Sequence, residues 1–259
     1  MEDFARGRWF DAVASWQAIR HQRRKWEGRV ETWDSHSSST MKTVIDSLIS
    51  QVEVAPGVVA MDLGTGTGPV ALRLAAQGAD VVAVDVSPSM IGRLLEKAER
   101  LGLSGVKGKA TPIEQLCEPP DAYDLVVSNY ALHHLRDADK ARLVRSAFGW
   151  LRPGGQLLIS DMMFGRGATA ADRRIITQKV RTLAARGLPG FWRILKNSFR
   201  FMIRVQERPL SQSAWRDLLT AAGFTDIHAR SVVAEAGLVS GRKPVASLPS
   251  TAPRQARRR

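Results

Sequence analysis

Three glycines lie in the segment Asp62-Leu63-Gly64-Thr65-Gly66-Thr67-Gly68-Pro69, between a short apolar run and a helical pattern. Glycine permits a tight turn and lets backbone approach a ligand closely. The spacing excludes two phosphate-binding readings. A dinucleotide fingerprint, G-x-G-x-x-G, needs glycine at 69, where proline stands. A phosphate loop, G-x-x-x-x-G-K-[ST], needs a following lysine that the segment lacks. What remains is chemistry for a cation and for hydroxyls. Asp62, two residues before the first glycine, is placed to hold a cationic group. Asp85, 17 residues past Gly68, ends the next apolar run and is placed to accept from ribose hydroxyls. A carboxylate pair around a glycine turn suits an adenosine ligand with a positive amino acid portion and no phosphate.

His133 and His134 have the chemistry of a general base, with packing or helix capping as the alternative; Tyr130 is read in the same way. Cys117 is the one cysteine, so no intrachain disulfide can form. No partner pattern surrounds it, and it reads as a small buried or loop residue rather than a nucleophile. This usage favours a reducing compartment.

The elements that must hold these groups follow from hydrophobic patterning. Residues 59–62, 81–85, 124–128 and 157–160 are short apolar runs, read as buried strands. Helical patterns separate them. One runs from Pro69 to Ala76 and stops at Gly78. A second opens at Ser87-Pro88, carries Met90, Ile91, Leu94, Leu95 and Ala98 at three-to-four spacing, and ends at Gly102. A third spans Asp137 to Leu151 and closes at Pro153-Gly154-Gly155. Strands alternating with such helices predict a parallel sheet covered on both faces. After residue 162 the alternation breaks into two helical stretches, about 169–186 and 190–206. It resumes with a helix capped by Ser211 and stopped by Gly223, then a closing strand pair at 225–233 and 235–241. The first 50 residues are helical in pattern, with Phe4, Trp9, Phe10, Trp16 and Trp26, and are expected to pack over the sheet's ligand edge or side.

The 38 Lys and Arg against 25 Asp and Glu leave a formal net charge of +13. Such an excess suits nucleic acid, a membrane surface or an anionic substrate, but its distribution says more. Residues 31–164 hold 12 basic and 16 acidic side chains, whereas residues 165–210 hold 11 and 2. The part with the glycine loop is slightly acidic, and the excess sits mainly in what reads as an insertion. On a helix at about 100° per residue, Arg193, Lys196, Arg200 and Arg204 share one face of 190–206 and Ile194, Leu195, Phe199 and Met202 the other. This basic amphipathic helix suits an anionic membrane surface or an acidic or lipid-like substrate; the alternative is a lid packed on the sheet with its basic face solvated. Its aromatics are not interleaved with the arginines as a stacking platform, which disfavours nucleic acid. Residues 244–259 hold three prolines and four arginines without apolar periodicity and are expected to form a disordered basic tail. No apolar run reaches the ~20 residues of a membrane span, and Met1-Glu2-Asp3-Phe4 has no apolar stretch of a signal peptide. The expected location is cytoplasmic, either free or peripheral at a membrane through residues 190–206.

As a set, these segments resemble the class I S-adenosylmethionine-dependent methyltransferases. Beside the glycine loop, residues 125–135 (LVVSNYALHHL), residues 151–161 (LRPGGQLLISD) and Trp215…Ala222-Gly223-Phe224 look like later motifs of the small-molecule branch, which includes the ubiquinone and menaquinone methyltransferases. The resemblance covers roughly residues 40–164 and 211–243. It implies an α/β fold, a doubly wound, mostly parallel seven-stranded sheet of Rossmann-like type, with N-terminal helices and a helical insertion as cap. The expected organisation is an N-terminal helical cap (1–50), a cofactor-binding core (51–164 and 211–243), a basic insertion over the substrate (165–210) and the tail (244–259).

The resemblance also implies S-adenosylmethionine as cofactor. Gly64, Gly66 and Gly68 would then approach the methionine portion, Asp62 orient its ammonium, Asp85 bind the ribose and Val86 border the adenine. Asn129 would line the gap where donor and acceptor meet. One motif departs: the family's third strand usually ends Gly-Asp-Ala, its acid reaching the adenine amino group, but here stands Gly108-Lys109-Ala110-Thr111. Adenine must be held by backbone groups, Thr111 or Glu114. The implied activity is methyl transfer to a small, largely apolar acceptor, quinone-, polyketide- or lipid-like, with Asn129, His133 and His134 as candidate catalytic residues. Because the sulfonium is already activated, the reaction needs mainly proximity and in-line geometry. No metal is expected. Two other readings stay open, an RNA or protein methyltransferase using the basic insertion, and a cofactor-binding protein without catalysis.

Overall fold

The computed structural model describes residues 19–20, 22–24, 26–28, 39–164, 173, 177, 181 and 208–245. Its strands are β1 (Val59–Leu63), β2 (Asp80–Asp85), β3 (Val106–Ala110), β4 (Tyr123–Asn129), β5 (Leu151–Met162), β6 (Thr225–Ser231) and β7 (Ala236–Arg242). They form one seven-stranded sheet in the order β3-β2-β1-β4-β5-β7-β6. Strands β1 to β5 pair in parallel, and β7 runs antiparallel between β5 and β6. The expected doubly wound, mostly parallel sheet is therefore present. Parallel neighbours need crossovers, and helices α1 (Ser39–Ile49), α2 (Ala71–Ala76), α3 (Pro88–Arg100), α4 (Asp137–Trp150) and α5 (Gln212–Ala222) alternate with the strands.

The period-two alternation of β1 divides the core between the two faces. Met61 and Leu63 pack with Val144, Ala147 and Trp150 of α4 and Trp215 and Leu219 of α5. Ala60 faces the other way, among Leu48 of α1, Leu74 of α2 and Leu94 of α3. Each large side chain withdrawn from water in this way contributes roughly 1.5–3 kcal/mol. Helix ends follow the punctuation in the sequence. Ser87 caps α3 by accepting Met90 N–H at 3.3 Å, with Pro88 in the first turn. Ser211 caps α5 by accepting Ala214 N–H at 3.2 Å, and Gly223 closes it in the left-handed region at φ 98°.

Several boundaries differ from the sequence reading, and two of them have a local cause. Helix α2 begins at Ala71 rather than Pro69, because Pro69 and Val70 complete the glycine turn. Strand β5 begins at Leu151, so Pro153-Gly154-Gly155 lies inside it instead of forming a separate loop. The pairing jumps from Tyr123–Leu151 to Leu125–Gln156, which makes room for the extra residues as a bulge. Lys243 holds that bulge: Gly154 N–H donates to its carbonyl and its own N–H donates to Gly155, both at 2.8 Å.

Near the N-terminus, residues 19–20, 22–24 and 26–27 are helical. The rest of the expected N-terminal cap before residue 39 lies outside the described residues. So do residues 246–259 of the tail and, apart from 173, 177, 181 and 208–210, the basic insertion with its amphipathic helix 190–206. Among the described residues no helix is long and apolar enough to cross a membrane. The strand order reverses between β1 and β4, the switch point at which open α/β sheets bind ligands beyond their strands' carboxyl ends.

Candidate functional site

The glycine loop folds back over the end of β2. The N–H groups of Gly64 and Thr65 donate to the Val84 carbonyl at 2.8 and 2.9 Å. Gly64 has φ 73°, and a Cβ there would stand 2.2 Å from that of Ala131, so only glycine lets the loops after β1 and β4 come this close. Gly68, at φ 87°, serves packing instead: a Cβ would meet Leu94 Cδ1 at 2.0 Å.

Asp62 is the last residue but one of β1, with 1% of its surface exposed. Its Oδ2 accepts the Thr65 hydroxyl at 2.7 Å. Burial pushes this carboxyl up to about 7, against the pull of the Thr65 and Ala71 hydrogen bonds and with a small contribution from the Asp85 charge. Asp85 stands at the end of β2. Its Oδ2 accepts Gly66 N–H and its Oδ1 accepts Ser87 N–H, each at 2.9 Å. Burial raises it as well, the hydrogen bonds from Ser87, Gly66 and Val86 opposing. Asp85 thus shapes the glycine loop while keeping lone pairs for further donors, since an ionised carboxylate offers about four acceptor sites. A buried carboxyl held near neutrality is one that a bound cation would ionise. Hydroxyl donors at Asp85, a cation at Asp62 and close backbone at Gly64 together fit S-adenosylmethionine.

The β4–α4 connection supplies the facing wall. Asn129 Oδ1 accepts the Ser160 hydroxyl at 2.7 Å, which leaves the amide nitrogen as donor. Tyr130 takes φ 50°, a conformation costing a non-glycine residue about 1–3 kcal/mol, and its N–H donates to Ser160 O at 2.9 Å. Its phenol is held well above the usual range, first by burial and then by the Glu235 and Asp161 charges, so it stays neutral. His133 is buried; Asp161 accepts its backbone N–H at 2.8 Å and faces its Nδ1 at 2.5 Å. The His134 ring lies 4.0 Å from that of His133 and 5.5 Å from Trp26, centroid to centroid.

These groups surround one cleft of about 1100 Å³, part of it open to solvent. Of the residues singled out from sequence, Asp62, Gly64, Gly66, Asp85, Val86, Asn129 and His134 line it. Gly68, Thr111 and His133 do not. Gly68 is turned into the α3 interface by the clash just described. Thr111 follows β3 in a turn where its N–H donates to Asp85 O at 2.8 Å, outside the cleft. His133 is drawn behind the wall by Asp161. Glu114, the other adenine candidate, does line the cleft, and burial is the main cause raising its carboxyl.

Sequence reasoning missed several lining residues. Thr65 sits between two named glycines, and Met90 belongs to the apolar stripe of α3, so position alone pointed to both. Met41, Arg136 and Asp139 carry no such signal, because only the packing of α1 and α4 brings them to the rim. Arg136 is committed to Asp139, which accepts its Nε–H at 2.7 Å. Ile19, Gln22 and Trp26 close another side, consistent with the expected packing of the N-terminal segment over the ligand edge.

Comparison with known proteins bears on the domain and on the fold. Residues 60–155 match the family model described as a methyltransferase domain. An uncharacterised methyltransferase of Geobacillus kaustophilus is 29% identical over 146 residues, 55% of this chain and 61% of that protein. A ubiquinone/menaquinone biosynthesis C-methyltransferase of Vibrio vulnificus is 33% identical over 110 residues, 41% of this chain and 42% of that protein. The chain therefore spans less than two thirds of either relative. The crystal structure of Burkholderia thailandensis 1,6-didemethyltoxoflavin-N1-methyltransferase, with 1,6-didemethyltoxoflavin and S-adenosylhomocysteine bound, superposes with TM-score 0.62 over 90% of both chains at 19% identity, a likeness of fold. Residues 60–155 thus match a methyltransferase domain, and they lie on a seven-stranded sheet with the fold of the class I methyltransferases.

Proposed function

We propose that this protein transfers the methyl group of S-adenosylmethionine to a small, largely apolar acceptor that is quinone-, polyketide- or lipid-like. The reading rests on one cleft that joins two buried carboxylates and a glycine turn to the apolar side chains of Trp26, Met41, Ile113 and Leu135. The names of the Vibrio and Burkholderia proteins, each a small-molecule methyltransferase, support it.

When bound, the cofactor supplies a methyl group already activated on a sulfonium. The chain supplies position and exclusion of water. In this reading Asp62 accepts from the ammonium and Asp85 from the ribose hydroxyls. Val86, Met90 and Ile113 flank the adenine, with Glu114 rather than Thr111 accepting from its amino group. The Asn129 amide borders the meeting point of donor and acceptor. In this reading His134, which lines the cleft, takes a proton from an oxygen or nitrogen acceptor, and His133, turned to Asp161, does not. The reading assigns the role of a cap to residues 1–50 and 165–210, most of which lie outside the described residues. Its attachment supports this: Arg208 N–H donates to His133 O at 2.7 Å, and Lys140 Nζ donates to Arg208 O. The segment therefore returns to the sheet beside the cleft wall.

Incubation with methyl-labelled cofactor and extracts of lipids and quinones, RNA or protein tests the reading. Label in the lipid and quinone fraction is expected. Label confined to RNA or protein would transfer the assignment to the second reading, which the excess of 11 basic over 2 acidic residues in 165–210 favours.

A further inference from the structure

We infer that Asp161 is a positioning residue that, with His133, fixes the cleft wall carrying Tyr130 and His134. The inference rests on the proposed function only in taking this wall as the acceptor side. Asp161 ends the buried part of β5 with 1% of its surface exposed and does not line the cleft. Three donors converge on it. Its Oδ2 accepts His133 N–H at 2.8 Å; its Oδ1 accepts Met162 N–H at 2.7 Å and faces His133 Nδ1 at 2.5 Å. As an acceptor, Asp161 pairs with the Nδ1–H tautomer of His133.

The consequence reaches the cleft through His133. Its ring stands 4.0 Å from the His134 ring and edge-on to Tyr130 at 6.5 Å, and both neighbours line the cleft. Its carbonyl meanwhile accepts from Arg208, where the described chain resumes. One carboxylate therefore sets the backbone of the Leu132–His134 turn, the rotamer of His133 and the face that His134 packs against. Stability alone does not account for such a pair, because well-packed apolar residues of similar volume often serve a core as well or better. A requirement for one fixed wall geometry does account for it.

The test uses the full chain with isotope-labelled histidine. The ring signals of His133 and His134 are assigned with His133→Asn and His134→Gln. In Asp161→Asn, either orientation of the amide sets its NH2 against a backbone N–H of His133 or Met162. The expected result is a shift of both ring signals and faster carbethoxylation of His134 by diethyl pyrocarbonate. Affinity for S-adenosylhomocysteine, read by calorimetry, stays within about threefold because Asp161 is outside the cleft. His133→Asn gives the shift of the His134 signal that loss of the neighbouring ring alone produces, and if Asp161→Asn does not fold, Asp161→Ser decides the matter by the same two readouts. Unchanged His134 signals and reactivity in the folded variant would overturn the inference. Failure of the unmutated chain to bind S-adenosylhomocysteine would instead count against the proposed function, with the ring signals still deciding the role of Asp161.

Discussion

Asp62 holds a proton in the folded chain across a pH range where the unfolded chain has lost it. Burial raises it from the ordinary 3.8 to about 7. The stability tied to this group is thus fully present below about pH 4 and is lost as pH rises through 7. The folded state binds more protons in that window, so the loss approaches roughly 4 kcal/mol at most. Unfolding midpoints at several pH values, compared between the unmutated chain and Asp62→Asn, are expected to show this component only in the former. An ammonium beside Asp62 reverses the preference. Binding of S-adenosylhomocysteine below pH 7 should release a proton, visible as different calorimetric heats in buffers of different ionisation enthalpy; equal heats would remove Asp62 from the ammonium contact. That Asp62 and Asp85 meet at one cleft was legible in the sequence, from their places before and after the glycine turn. That Gly68, Thr111 and His133 lie outside its lining was not, because adjacency in sequence does not say which side of a turn meets the cleft.

The loop of Gly64, Gly66 and Gly68 works as a joint between elements. Gly68 lies against Leu94 of α3 and cannot carry a side chain without moving it. Gly68→Ala combines that overlap with an unfavourable φ of 87° and is expected to destabilise by about 2–4 kcal/mol. Urea unfolding checks this. Adding Leu94→Ala should restore nothing, because it removes the clash but opens a core cavity and leaves the φ strain. The sheet was readable at this scale: apolar runs fixed β1, β2 and β4, and Ser87, Ser211 and Gly223 marked helix ends where the caps are found. The start of β5 was not. Pro153-Gly154-Gly155 stops a helix and is also held in the sheet as a bulge, and the second fact depends on Lys243, some ninety residues away.

Across the whole molecule the +13 charge gives little direct information about the cleft, which is lined by Asp62, Asp85, Glu114 and Asp139 against Arg136. Cofactor affinity should accordingly change by less than about threefold between ~50 and ~200 mM salt, whereas recognition of RNA through six to ten phosphates would weaken by roughly 10³–10⁵. Parallel titrations across salt separate the two. The most direct test of the account is calorimetric titration of the full chain with S-adenosylmethionine beside Asp85→Ala. The prediction is one site per chain, weakened at least about tenfold in the variant, because a charge-assisted acceptor and the anchor of Gly66 are lost together. No binding by the unmutated chain, or equal binding by both, would contradict the account.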